Sequence, residues 1–108
     1  MLAASTVAAV AITLGTGSLL LAQKGDAAKG KMTFEDNCSV CHNADNADKK
    51  VGPGLKGLYK KAKMANGKKP TDMAIRAIID KGGNGMPSFA DQLSDSERDN
   101  LMAYLKTL

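Results

Sequence analysis

The string Cys38-Ser39-Val40-Cys41-His42 constrains this 108-residue chain more than any other feature, because it contains both of the chain's Cys residues and its single His. C-x-x-C-H is the attachment motif for haem c. Two thiols three positions apart on a helical turn can bond covalently to the two vinyl groups of one haem. The adjacent imidazole is then held under the iron as the proximal ligand. One His leaves no bis-His option and no second haem. Three other uses of these residues compete less well. A disulfide over so short a loop would stabilise little. A zinc site needs four ligands, and the nearest fourth would be a carboxylate such as Asp45. A thioredoxin-like dithiol belongs beside a βαβ pattern, and no such pattern is present.

A second motif, Gly83-Asn84-Gly85-Met86-Pro87, completes the ligand set. The glycines permit sharp turns, and Pro87 restricts the residue before it to extended backbone, so Met86 is presented from a rigid loop. Its thioether is a soft, neutral ligand that favours Fe(II), and Met/His ligation raises a haem potential relative to His alone. Met64, Met73, Met102 and Met32 are weaker alternatives. Met64 sits in a lysine-rich stretch, Met73 and Met102 stand at helix-core spacing, and Met32 precedes the Cys motif.

The periodicity is all-α. Asp26 is an N-cap for a helix reaching about to Cys38, with Met32, Phe34 and the cysteines as inner-face residues. Residues 43–70 are punctuated by Gly and Pro and read as loop, with a short helix possible only over residues 55–64. Thr71 caps a helix through about Asp80 whose apolar residues are Met73, Ile75, Ala77, Ile78 and Ile79, and Gly82, Gly83 and Gly85 end it. Ser94 and Glu97 form a capping box, followed by Leu101, Tyr104, Leu105 and Leu108 at three- and four-residue spacing. No run alternates long enough for a strand, and there is no internal repeat.

Composition places these elements in one small domain. With 24% charged and 44% hydrophobic residues the chain is globular, but its first 22 positions inflate the apolar share, and four aromatics, Phe34, Tyr59, Phe89 and Tyr104, are few for a core. A haem would supply the missing apolar body. Residues 2–22 carry no charge and read as a secretory signal peptide or, uncleaved, as an N-terminal membrane anchor. No Lys or Arg precedes that run, so a basic n-region is expected upstream of Met1. The protein is therefore expected to be periplasmic, with membrane contact only through residues 2–22 if they are retained.

The net charge of +4 is unevenly spread. Residues 49–69 hold eight Lys and no acid: Lys49, Lys50, Lys56, Lys60, Lys61, Lys63, Lys68 and Lys69. The flanking segments are acidic. Such a stretch is either a solvated loop or a basic docking face for an acidic redox partner. Nucleic acid is not expected, because the stretch has no Arg and one aromatic, Tyr59, to stack on a base.

Together, Gly30 and Phe34, the Cys38–His42 string, Gly52-Pro53-Gly54-Leu55, Gly85-Met86-Pro87 with Phe89, and Leu93-Ser94-Asp95 ahead of Leu101 and Tyr104 carry a resemblance. Over residues 26–108 the chain resembles a class I, single-haem bacterial cytochrome c. The resemblance implies an all-α cytochrome c fold for residues 23–108, with about three to four helices wrapped around one covalently attached haem. It also implies that the terminal helices cross where Gly30 permits close approach to the positions of Leu101 and Tyr104. The Pro53 carbonyl is implied to accept a hydrogen bond from His42 Nδ1. The chain lacks the Trp that several members place near the haem propionates, which leaves Tyr59 and nearby lysines for that role.

The expected function follows. The chain is a monomeric one-electron carrier, not an enzyme, holding haem c through Cys38 and Cys41 with His42 and Met86 on the iron. It shuttles electrons between periplasmic or membrane redox partners. The alternatives are a haem subunit of a larger membrane dehydrogenase or oxidase, a five-coordinate haem sensor or enzyme, and a thiol or metal module without haem.

Overall fold

The structure, a computed structural model, describes residues 24–108. The expected leader, residues 1–22, lies outside them. Among the described residues no helix is long and apolar enough to cross a membrane. The elements are α1 (Ala27–Asn37), a 3₁₀ turn at Leu58–Lys60, α2 (Asp72–Lys81) and α3 (Asp95–Leu105).

Each helix starts where its capping chemistry dictates. Asp26 accepts hydrogen bonds from the amides of Ala28 and Lys29, at 2.9 and 3.2 Å. The Thr71 hydroxyl accepts from Ala74 N, and α2 carries Asp72 in its first turn and Lys81 in its last, both favourable to the helix dipole. The reciprocal Ser94–Glu97 bonds of the capping box are both 3.1 Å. Helix α1 ends because side chains compete for its last carbonyls: Asn37 donates to Thr33 O and Ser39 to Glu35 O.

Helices α1 and α3 form the main packing pair. At their crossing a Cβ on Gly30 would lie 1.9 Å from the Asn100 carbonyl oxygen and 2.9 Å from Tyr104 Cβ. Only a hydrogen at that position lets the two backbones touch. The contact is made by Asn100 and the expected Tyr104, with the expected Leu101 buried beside them. Asn100 also holds the start of α1, accepting from Asp26 N at 2.8 Å. The Phe34 and Tyr104 rings meet at 5.5 Å, tilted by 60°.

The buried core comprises Phe34, Leu58, Ile75, Ile79, Phe89, Leu93, Leu101, Met102 and Leu105. Of the residues expected to face it, Met32 and Met73 lie at the surface. Met32 is 64% exposed and Met73 84%. Each stands two positions before a buried residue, Phe34 or Ile75, and so points about 200° away around its helix. The possible helix over residues 55–64 is reduced to one 3₁₀ turn, entered through Gly57 in left-handed backbone. Leu108 lies beyond the end of α3 and only partly covers the core.

Candidate haem site

The Cys motif sits on a turn beyond α1. The Cys38 carbonyl accepts from both Cys41 N and His42 N, at 3.1 and 2.9 Å, which folds the five residues into a tight loop with Cys38, Cys41 and His42 half-buried. The two thiols are unbridged. Burial, and secondarily the neighbouring Cys41, push the Cys38 thiol up to about 11. A dithiol redox site needs the opposite shift, because the thiolate is the reactive form. Among the described residues, no three His, Cys, Asp or Glu side chains are placed to hold a bare metal ion. The raised thiol weighs against a redox dithiol.

His42 is aimed by the loop that follows. Gly52 N donates to Cys41 O at 2.7 Å and Leu55 N to Asn43 O at 2.8 Å, so residues 50–55 run back along the motif. His42 Nδ1 lies 2.8 Å from the Pro53 carbonyl oxygen. A carbonyl can only accept, so in the neutral imidazole Nδ1 carries the proton and Nε2 keeps the lone pair that a metal ligand requires. Gly52 makes this possible: a Cβ there would come within 2.4 Å of His42 Cε1. Gly54 is equally committed, facing the Ala47 backbone at 2.4 Å from a would-be Cβ.

Met86 comes from a second rigid device. Gly83 N donates to Met86 O at 2.9 Å and Met86 N to Gly83 O at 3.0 Å, closing a two-residue turn. Its central residues, Asn84 and Gly85, have φ of 52° and 89°. That is the Asn-Gly pattern of a type I′ turn. Phe89 N donates to Ile79 O and the Ser88 hydroxyl to Asp80 O, tying the loop back to the end of α2.

Five of the chain's methionines are described, and they sort by environment. Met32 and Met73 are exposed and Met102 is buried within the core. Met64 and Met86 are partly buried against it, as are Cys38, Leu55 and Tyr59. Apolar groups left half-covered in this way are ones that a flat apolar cofactor could cover further. The Tyr59 hydroxyl donates to Asp72 Oδ1 at 2.8 Å, so its proton is committed away from any propionate. Lys106 Nζ donates to the other Asp72 oxygen at 3.0 Å, and together these bonds hold the Asp72 carboxyl below its ordinary range.

Comparison with known proteins settles the family. Residues 25–105 match the family model described as "Cytochrome C oxidase, cbb3-type, subunit III". A cytochrome c-553-like protein of Synechocystis is 34% identical over 91 residues, covering 84% of this chain and 77% of that one. Cytochrome c6 of Leptolyngbya boryana is 36% identical over 80 residues, covering 74% of this chain and 89% of its own. The solved structure of cytochrome c6 from the diatom Phaeodactylum tricornutum superposes with a TM-score of 0.60 at 30% identity, over 77% of this chain and 93% of that one. The chain belongs to the class I, single-haem cytochromes c. It is accordingly an all-α electron-transfer protein with covalently bound haem c, and its cytochrome c6 relatives are small electron carriers.

Sequence reasoning overlooked several residues that shape the cytochrome. Gly52, read as part of a family string, is the floor under the imidazole. Asn100 receives both Gly30 and Asp26. Arg98 is buried, at 9% exposure, although its spacing of three and seven from Leu101 and Leu105 already places it on the buried face of α3.

Proposed function

We propose that Cys38 and Cys41 form the thioether links, that His42 and Met86 are the two axial ligands, and that Pro53 orients His42. The observation that supports this best is the 2.8 Å contact between His42 Nδ1 and the Pro53 carbonyl, made over the bare floor of Gly52. When bound, the haem supplies a one-electron Fe(III)/Fe(II) couple. The chain's own part is to hold the imidazole proton on Nδ1, to offer a neutral thioether from a pre-formed turn, and to keep both loops fixed between oxidation states. The oxidised protein is expected to be low-spin and to show the weak near-infrared Met-to-iron band. A haem-loaded protein without that band would remove Met86 from the ligand set.

The carrier is exported and monomeric in this reading, and shuttles electrons between periplasmic or membrane partners through a basic docking face. Seven of the eight lysines in residues 49–69 are exposed, which supports such a face. Lys61 is the exception. It is half-buried and donates to Gly54 O at 3.3 Å, so it belongs to the frame of the His42 loop. Neutralising Lys60, Lys63, Lys68 and Lys69 together is expected to slow reduction by an acidic redox protein by roughly ten-fold or more at low salt. The difference should vanish at 1 M salt, where screening acts within about 3 Å. Stopped-flow rates indifferent to both charge and salt would discard the basic face.

The description of the matching family model favours a second reading, a haem subunit of a larger membrane oxidase. Co-purification with other subunits in washed membranes would select it over the free carrier.

A further inference from the structure

The ion cluster between α2 and α3 stands outside the site just described and is built around buried charge. Arg98 Nη1 lies 2.6 Å from Asp80 Oδ1 and its Nη2 2.6 Å from Asp95 Oδ1, with the Arg98 and Asp80 side chains 11% and 32% exposed. Arg76 adds contacts to the same Asp80 oxygen at 3.1 Å and to Asp99 at 2.7 Å. Arg98 also reaches back to Ser94 O at the start of α3. Exposed ion pairs contribute little, and a buried one rarely stabilises more than apolar packing would. What a multi-point buried pair does supply is a fixed geometry between the elements that carry it.

The element so fixed is the last turn of α2, from which the Met86 loop both leaves and returns. Helix α2 makes few contacts with α3, so the cluster is the main polar tie between them. Asp80 carries the clamp on its carboxylate and, on its backbone carbonyl, the Ser88 hydroxyl. The neighbouring Ile79 carbonyl takes Phe89 N at 2.9 Å. Gly82, next but one, passes so close to Met86 O and Pro87 that a Cβ would lie 2.4 Å from Met86 O. A rotation of this turn would therefore move both ends of the loop that presents Met86.

We propose that Arg98 and Asp80 are positioning residues for the redox centre: their ion pair clamps the end of α2 and thereby keeps the Met86 thioether on the iron. This rests on the reading of Met86 as an axial ligand. The groups facing Asp80 are Arg76 on its own helix, Arg98, Asp95 and Asp99 on α3, and uncharged Ser88 in the loop. Burial pushes the Asp80 carboxyl up, but hydrogen bonds and charge from Arg98 and Arg76 outweigh it and hold the group below its ordinary value. A lowered carboxyl keeps its stabilising charge above the unfolded value, near 3.9, and loses it only as pH falls through the lower folded value. The clamp is thus intact at neutral pH and opens in acid.

The test uses the haem-loaded protein with two readouts, the near-infrared Met-to-iron band against pH and amide hydrogen exchange. In Arg98→Leu the band is expected to disappear about one pH unit higher on acidification than in the wild type. The Met86 and Phe89 amides should exchange about ten-fold faster relative to the Phe34 amide. Arg98→Lys, which keeps the charge but not the fork, should lie between. Asp80→Asn, a nearly isosteric change at a partly exposed side chain, repeats the test if Arg98→Leu does not fold. Ser88→Ala should loosen the same two amides, and its effect should add less than fully to that of Asp80→Asn, since the two act through one turn. An unshifted acid midpoint, or equal acceleration at Phe34, Met86 and Phe89, overturns the clamp. A wild type lacking the band at neutral pH instead overturns the Met86 ligation, while the exchange ratios still report on the clamp.

Discussion

Met86→Ala is expected to yield a folded, haem-loaded protein whose oxidised form is high-spin, lacks the near-infrared band, and binds carbon monoxide rapidly when reduced. The fold should survive because the turn that carries residue 86 is closed by backbone bonds to Gly83 and shaped by Asn84 and Gly85, none of which needs the thioether. The loss is therefore confined to the sixth position. A soft neutral sulfur stabilises Fe(II), so its removal lowers the midpoint potential. Axial ligands command a span of about 0.8 V, and a fall on the order of 0.1 V or more is expected. Visible and near-infrared spectra with a potentiometric titration read all of this from one sample. An unchanged spectrum would pass the role to Met64, which is also half-buried against the core.

Gly30→Ala should damage the fold severely. Alanine is the better helix former by about 1 kcal/mol, so in an isolated helix the change would be favourable. In the folded cytochrome the new Cβ would sit 1.9 Å from the Asn100 carbonyl oxygen, a backbone atom that cannot swing aside. Helices α1 and α3 must then separate, which loosens the Phe34–Tyr104 pair and the Asp26–Asn100 bond. Overpacking of this kind costs about 3 kcal/mol or more. For a domain of this size that corresponds to a fall in Tm of roughly 12–24 °C. Thermal melts of the haem-loaded protein provide the check, and a Tm within a few degrees of the wild type would mean that the crossing is not tightly packed.

The proposed site can be read from the sequence because its chemistry is local. Both proposed anchors and the proposed proximal imidazole fall within five consecutive residues, and Met86 is presented by Asn-Gly turn chemistry that needs no distant partner. The helix starts at Asp26, Thr71 and Ser94 are likewise short-range, since each cap bonds amides two or three residues on. The His42–Pro53 contact spans 11 residues. Family resemblance implies it, but nothing in the spacing alone specifies it.

What the sequence by itself determined, then, is the cofactor chemistry, the helical class and where each helix begins. These depend on residue type and on neighbours within one turn. The tertiary structure alone decided which faces are buried and which charges are bound. It moved Met32 and Met73 to the surface, drew Lys61 into the His42 loop, committed Tyr59 to Asp72 and enclosed Arg98 among aspartates. It also brought Asn100 to Asp26 across 74 residues. That last contact follows from how closely Gly30 lets two helices approach, and such an approach is a property of the packed pair and of neither helix alone.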